Sequence, residues 1–171
     1  LEDEALDDEE DALPQAGDLE SILGLCTARG VDHRMLRWHY RSRHHSLIAV
    51  SNAAFYEGRL RVIPSPGSAG AGQGLSYRTI PEGLFDRGGA AVNCVEAERI
   101  ADAVMEHART QPQRSLGVGA FSIKQRDAIL DAIERRRRRG RETESFFDPS
   151  AEEPFFVKTL ENIQGDARDV I

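Results

Sequence analysis

The sequence predicts an α/β fold with a mostly parallel sheet and helices on both faces. Three observations point there. Short apolar runs such as Met35–Trp38, Leu116–Phe121 and Phe155–Leu160 recur along the chain. Between them lie helical patterns of about 10 to 17 residues, the length a crossover between parallel strands requires. Capping residues, Asn93 and Ser122, open two of those helical patterns. In sheets of this kind functional residues gather where strands end and helices begin.

Taken in order, Asp18 caps a short predicted helix carrying Ile22, Leu23 and Cys26, and Gly30 ends it. Met35–Trp38 reads as a strand running into a helix with Leu47, Val50 and Ala54 on one face and Ile48 and Phe55 beside it. Arg59–Ile63 is the next strand, stopped by Pro64 and Pro66, and the glycine-rich stretch 67–74 is a loop. Leu75–Ile80 resumes as a strand. Asn93 with Glu96 forms a capping-box-like start for a helix whose Ala97, Ile100, Ala101, Val104 and Ala108 repeat at three- and four-residue spacing. Leu116–Phe121 is a strand, and Ser122 with Gln125 makes a second capping box for the helix carrying Ile129, Ala132 and Ile133. Phe155–Leu160 is another strand, Gln164-Gly165 a loop, and Val170-Ile171 the start of one more.

Charge divides the chain. Of 171 residues, 22 are Lys or Arg and 29 are Asp or Glu, for a net charge of −7. Residues 1–28 hold ten of those acids and no Lys or Arg, which leaves 19 acids against 22 bases in the remainder. A slightly basic body therefore follows a solvated acidic lead, expected to be flexible over residues 1–17. The organisation expected is that lead followed by a domain over 18–171, truncated at its C-terminal end and excised from something larger. No apolar run reaches the roughly 20 residues of a membrane helix, so a cytoplasmic protein without a membrane partner is expected.

Several chemistries are excluded. A phosphate-binding Walker loop needs Gly-Lys-Ser/Thr, yet the two lysines, Lys124 and Lys158, follow Ile123 and Val157. Gly70, Gly72 and Gly74 have the wrong spacing for a dinucleotide fingerprint. Cys26 and Cys94 stand alone, and five scattered histidines give no ligand set, so no metal site is expected.

What remains are three segments that follow strands: His39-Tyr40-Arg41-Ser42, Phe121-Ser122-Ile123-Lys124-Gln125, and Thr159–Asp166. On one parallel sheet they line up along one edge. Here the sequence resembles the second motor domain of superfamily 1 helicases of the Upf1-like branch. The matching text is Leu36–Ser42, Ser51–Leu60, Asn93–Ala97, Gly117–Gln125 and Thr159–Ile171, in order from about Ser21 onward. The sequence is similar in particular to large bacterial helicase-related proteins with an Asn-Ile-Gln-Gly-Asp segment, here Asn162–Asp166.

The resemblance implies a RecA-like P-loop NTPase fold and one wall of an ATP cleft. ATP and Mg2+ are then bound mainly by a first motor domain of the same protein, which carries the Walker loops. It implies that Arg41 reaches the γ-phosphate, where an arginine fork stabilises charge spread over phosphoryl oxygens. Gln164 and Gly165 fall in the segment coupling nucleotide to nucleic acid. Ser122 and Thr159 match positions whose hydroxyls bond the backbone of a single strand, DNA before RNA. Ala167 stands where the family has a glutamate that contacts the ribose.

From the residues alone, Trp38 and Tyr40 are expected in the core, and the arginine run Arg135–Arg139 with Arg141 at a solvated helix end. The expected activity is that of an ATP-dependent helicase in the whole protein, the chain alone being inactive. A catalytically degenerate nucleic-acid-binding scaffold, favoured by Ala167, and an ATP-driven translocase without strand separation stay open beside it.

Overall fold

The computed structural model describes residues 21–65, 73–140 and 142–171, and these fall into two compact units that part between Tyr77 and Arg78. The acidic lead, Asp18, Arg141 and residues 67–72 of the glycine-rich stretch lie outside the described residues.

The first unit opens with α1, Ile22–Ala28, whose N-cap is Ser21, its hydroxyl accepting from the Gly24 N–H at 3.1 Å. Gly30 ends the helix as expected. At φ +73° it adopts the left-handed conformation that a residue without Cβ enters freely. The Gly30 and Val31 N–H groups then donate back to the Thr27 and Cys26 carbonyls at 3.0 Å each, closing a Schellman motif.

β1 (Trp38–His39) and β2 (Arg61–Val62) pair in parallel, Trp38 opposite Arg61 and His39 opposite Val62. The strand expected at Met35–Trp38 is thus shorter and displaced toward the helix. Between the two strands runs α2, Ser46–Phe55. Its rotation differs from the expected apolar face: Leu47, Val50 and Ala54 are exposed, and Ile48, Ser51 and Asn52 are half-buried. Asn52 supplies the reason. Its side-chain amide accepts from the Leu60 N–H at 3.0 Å and donates to the Leu60 carbonyl at 3.3 Å, turning that side of the helix toward the chain entering β2. Leu75–Ile80, expected as a strand, belongs to no ladder; the Leu75 N–H donates to the Ser46 hydroxyl at 2.8 Å instead.

The second unit holds α3 (Cys94–Thr110), β3 (Gly117–Ala120), α4 (Ile123–Arg137) and β4 (Phe156–Thr159), with 3-10 turns at Glu144–Phe147 and Leu160–Asn162. β3 and β4 pair in parallel from Gly117 opposite Phe156 to Ala120 opposite Thr159. Leu116 is bridged in parallel to Val170, the start of the expected further strand. The single parallel sheet of the sequence reading is therefore two two-stranded parallel sheets, one in each unit.

The three- and four-residue periodicity places the core where it was expected. Ala97, Ala101 and Val104 of α3 meet Ile129, Ala132 and Ile133 of α4 and Leu116, Ala120 and Val157 of the strands in one buried cluster. Small residues on both helices let their axes approach closely, and Phe146, Phe147 and Phe155 close one end with edge-on ring contacts. The arginine run at the end of α4 is not simply solvated. Arg135 bonds the Glu98 carboxylate, Arg136 bonds Glu98 at 2.7 Å and Asp102 at 2.8 Å, and Arg137 bonds Glu144 at 2.7 Å while lying over the Phe147 ring. Periodicity could not reveal this, because Glu98 and Asp102 sit on the neighbouring helix and Glu144 in the turn after α4.

Candidate nucleotide and nucleic-acid interface

In a parallel pair both strands end at the same edge, so the residues following β3 and β4 emerge side by side. Ala120 opposite Thr159 fixes that register. Phe121, exposed, and Ser122 follow β3; Thr159 closes β4 and Leu160 opens the 3-10 turn after it. Ser122 caps α4, its Oγ accepting from the Gln125 N–H at 3.1 Å. The hydroxyl keeps its own proton free to donate. Thr159 is buried, at 5% exposure, and its Oγ1 accepts from the Asn162 side-chain amide at 3.1 Å.

The loop that follows is held down at two points. Lys158 Nζ lies 2.7 Å from the Asp166 carboxylate. Arg168 donates twice to the Pro154 carbonyl, at 3.1 and 2.7 Å, and stacks over the Phe156 ring. Gln164 and Gly165 lie just before the first anchor and are exposed, Gly165 with φ +92°. A side chain there would meet no atom but would strain the backbone, which is the physical reason for glycine. Ala167 lies between the two anchored residues and is exposed.

Arg41 belongs to the first unit. The turn that carries it is tied at its ends: the Ser42 N–H donates to His39 Nε2 at 3.2 Å, and the Ser42 hydroxyl lies 2.7 Å from the same nitrogen. Tyr40, 90% exposed, and Arg41, also exposed, are the two residues between the tied ends. The Arg41 guanidinium makes no hydrogen bond or ion pair among the described residues. The end of the β3–β4 pair thus carries Ser122 and Thr159, the Gln164-Gly165 loop lies on the path from that end back to Val170, which is bridged to Leu116 where the strands begin, and Arg41 stands on its own unit. Trp38 and Tyr40 are not in the core: Trp38 is exposed and Arg61 packs over its ring.

Sequence reasoning missed the true role of Gln125. As the second member of a capping box it was expected to return to Ser122, but its side chain crosses to α3. The Asn93 N–H donates to Gln125 Oε1 at 2.7 Å, and Gln125 Nε2 donates to the Asn93 carbonyl at 3.0 Å and to Glu96 at 3.2 Å. This buried amide locks the starts of α3 and α4 together and thereby fixes the Ser122 end of the edge. The bond from the Glu96 N–H to Asn93 Oδ1, at 3.1 Å, is the half of the first box that forms. A polar residue in the otherwise apolar spacing of α4, three positions before Ala128 and four before Ile129, was the available signal. Among the described residues no group of three or more His, Cys, Asp or Glu side chains is placed to hold a metal ion, and no helix is long and apolar enough to cross a membrane.

The chain is similar to a protein of Mycoplasma genitalium named an uncharacterized ATP-dependent helicase, 30% identical over 143 residues. The match takes in 80% of this chain and 12% of that protein, so the chain spans about an eighth of the length of the relative it matches. No family model matches the chain, and no solved structure matches it. By sequence the chain is therefore similar to a segment of a protein named a helicase, and its α/β architecture with short parallel sheets is compatible with a RecA-like fold.

Proposed function

We propose that the chain is the second RecA-like motor domain of an ATP-dependent superfamily 1 helicase of the Upf1-like branch. In this role it forms one wall of the ATP cleft and part of a channel for single-stranded nucleic acid. The observation that carries the reading is the parallel register of Ala120 with Thr159. It sets Ser122, two residues beyond Ala120, near the Thr159 end of β4, and this supports contacts of both hydroxyls along one strand. The similarity to a protein named an ATP-dependent helicase supports the same reading independently.

In this reading the Ser122 and Thr159 hydroxyls donate to consecutive backbone phosphates, contacts that tolerate any base sequence. Gln164 and Gly165 transmit the state of the nucleotide to that edge. Arg41, with a fork that no acid among the described residues occupies, reaches a γ-phosphate held by the first motor domain and stabilises the charge that develops as it transfers. Mg2+ belongs with that first domain, and no step of this chain runs through it.

The test uses the chain by itself. It binds a labelled single-stranded oligonucleotide and hydrolyses no ATP, and Thr159→Ala weakens the binding several-fold. Ser122→Ala does the same, with folded protein verified in each case because Ser122 also caps a helix. ATP turnover by the purified chain, or strand affinity untouched in both variants, contradicts the reading.

A further inference from the structure

We propose that the first unit carries a phosphate-binding site separate from the edge described above: a cavity of about 380 Å3 lined by His33, Arg34, Met35, Arg37 and Arg59. Strand pairing builds it. The Arg61 N–H donates to the Arg37 carbonyl at 2.7 Å, and the parallel register of Trp38 with Arg61 sets the chain entering β2 beside the chain entering β1. Arg59 comes from the first of these segments and the other four residues from the second.

Three arginines and a histidine line this concavity, and no acidic residue is among its lining residues. The acids nearest in sequence hold the cations only loosely. Arg34 lies 3.5 Å from Asp32 and Arg59 3.3 Å from Glu57, each pair exposed at both partners and so readily exchanged for a better anion. Arg37 makes no side-chain hydrogen bond or ion pair among the described residues. Among the described residues of this unit, seven arginines stand against two acids, Asp32 and Glu57. Phosphate suits the site better than carboxylate, because its three or more oxygens can engage several forks at once. A phosphodiester strand and a free di- or triphosphate present that same chemistry.

Two probes test the site on the whole chain: fluorescein-labelled oligothymidylate, followed by anisotropy across a salt series, and inorganic pyrophosphate, followed by calorimetry. The proposal expects Arg37→Ala to weaken at least one probe about tenfold, with Arg59→Ala acting in the same direction. Arg37→Lys recovers part of the loss, since a point charge replaces a fork. If a strand is the ligand, the salt slope of oligonucleotide binding falls by about 0.7 for each contact removed. If a free phosphate compound is the ligand, pyrophosphate binds one to one and the slope stays. Near-ultraviolet dichroism from Trp38 verifies folding of each variant. The proposal is overturned if neither probe binds the parent chain, if Arg37→Ala and Arg59→Ala leave both affinities unchanged, or if polyglutamate displaces the probes as well as phosphate does. The outcome is separable from the strand contacts of the second unit, because Thr159→Ala leaves this cavity intact.

Discussion

Gln125 is 8% exposed and joins two helix starts through three hydrogen bonds. Replacing it with Met keeps the volume but leaves the Asn93 N–H unpaired and its carbonyl with the Ala97 N–H alone, a loss of about 1–3 kcal/mol. Gln125→Glu retains the acceptor for the Asn93 N–H, loses the donors and faces the Glu96 carboxylate, so it is expected to be the worse change at neutral pH. Urea unfolding of the two variants checks the order. Gly165→Ala is a purely conformational change, because nothing lies within reach of the new methyl group; a loss of about 1–2 kcal/mol in the same measurement is expected. These residues also mark the limit of sequence reading. Ser122 was legible as a cap because its partner is three residues away, whereas the partners of Gln125 lie about thirty positions upstream and are brought to it only by packing.

Among the elements, α3 and α4 were read most faithfully, since their small and branched apolar residues repeat with the helical period and their caps are local. The rotation of α2 was not legible: Asn52, a polar residue, sets it through Leu60. The junction of α3 with α4 has a measurable electrostatic signature. Hydrogen bonds from Arg136 and then Arg135 hold the Glu98 carboxyl below its ordinary value of 4.5, and Asp102 foremost raises the Arg136 guanidinium. A carboxyl whose folded value is lowered contributes stability above its unfolded value and loses it as pH falls through the folded one. Thermal stability is therefore expected to drop as pH is taken below about 4.5, and more steeply in the parent than in Glu98→Gln. Parallel melting profiles for the two across that range contradict the role given to Glu98. In the core between the same helices, Ile129→Ala opens a cavity at a side chain 1% exposed, and a loss of about 2–5 kcal/mol is expected in chemical denaturation.

For the whole molecule, the sequence reading of alternating strands and helices is realised as two units, each with its own parallel pair. Two of the three strand-end segments share an edge because β3 and β4 are in one sheet; the third, with Arg41, follows β1 in the other unit. That division was not legible because Leu75–Ile80, which reads as a strand by its residues, forms no ladder to carry one sheet into the next. The central claim is that Arg41 completes an ATP site whose other half lies in a first motor domain. Its most direct test is the steady-state ATPase of the protein containing both domains, with single-stranded oligonucleotide present, comparing Arg41→Ala with Thr159→Ala. The account predicts that Arg41→Ala lowers kcat by roughly 100-fold or more while strand affinity without nucleotide is nearly unchanged, and that Thr159→Ala weakens the strand and spares basal hydrolysis. Equal losses of stability and turnover in both variants, or full kcat in Arg41→Ala, would contradict it.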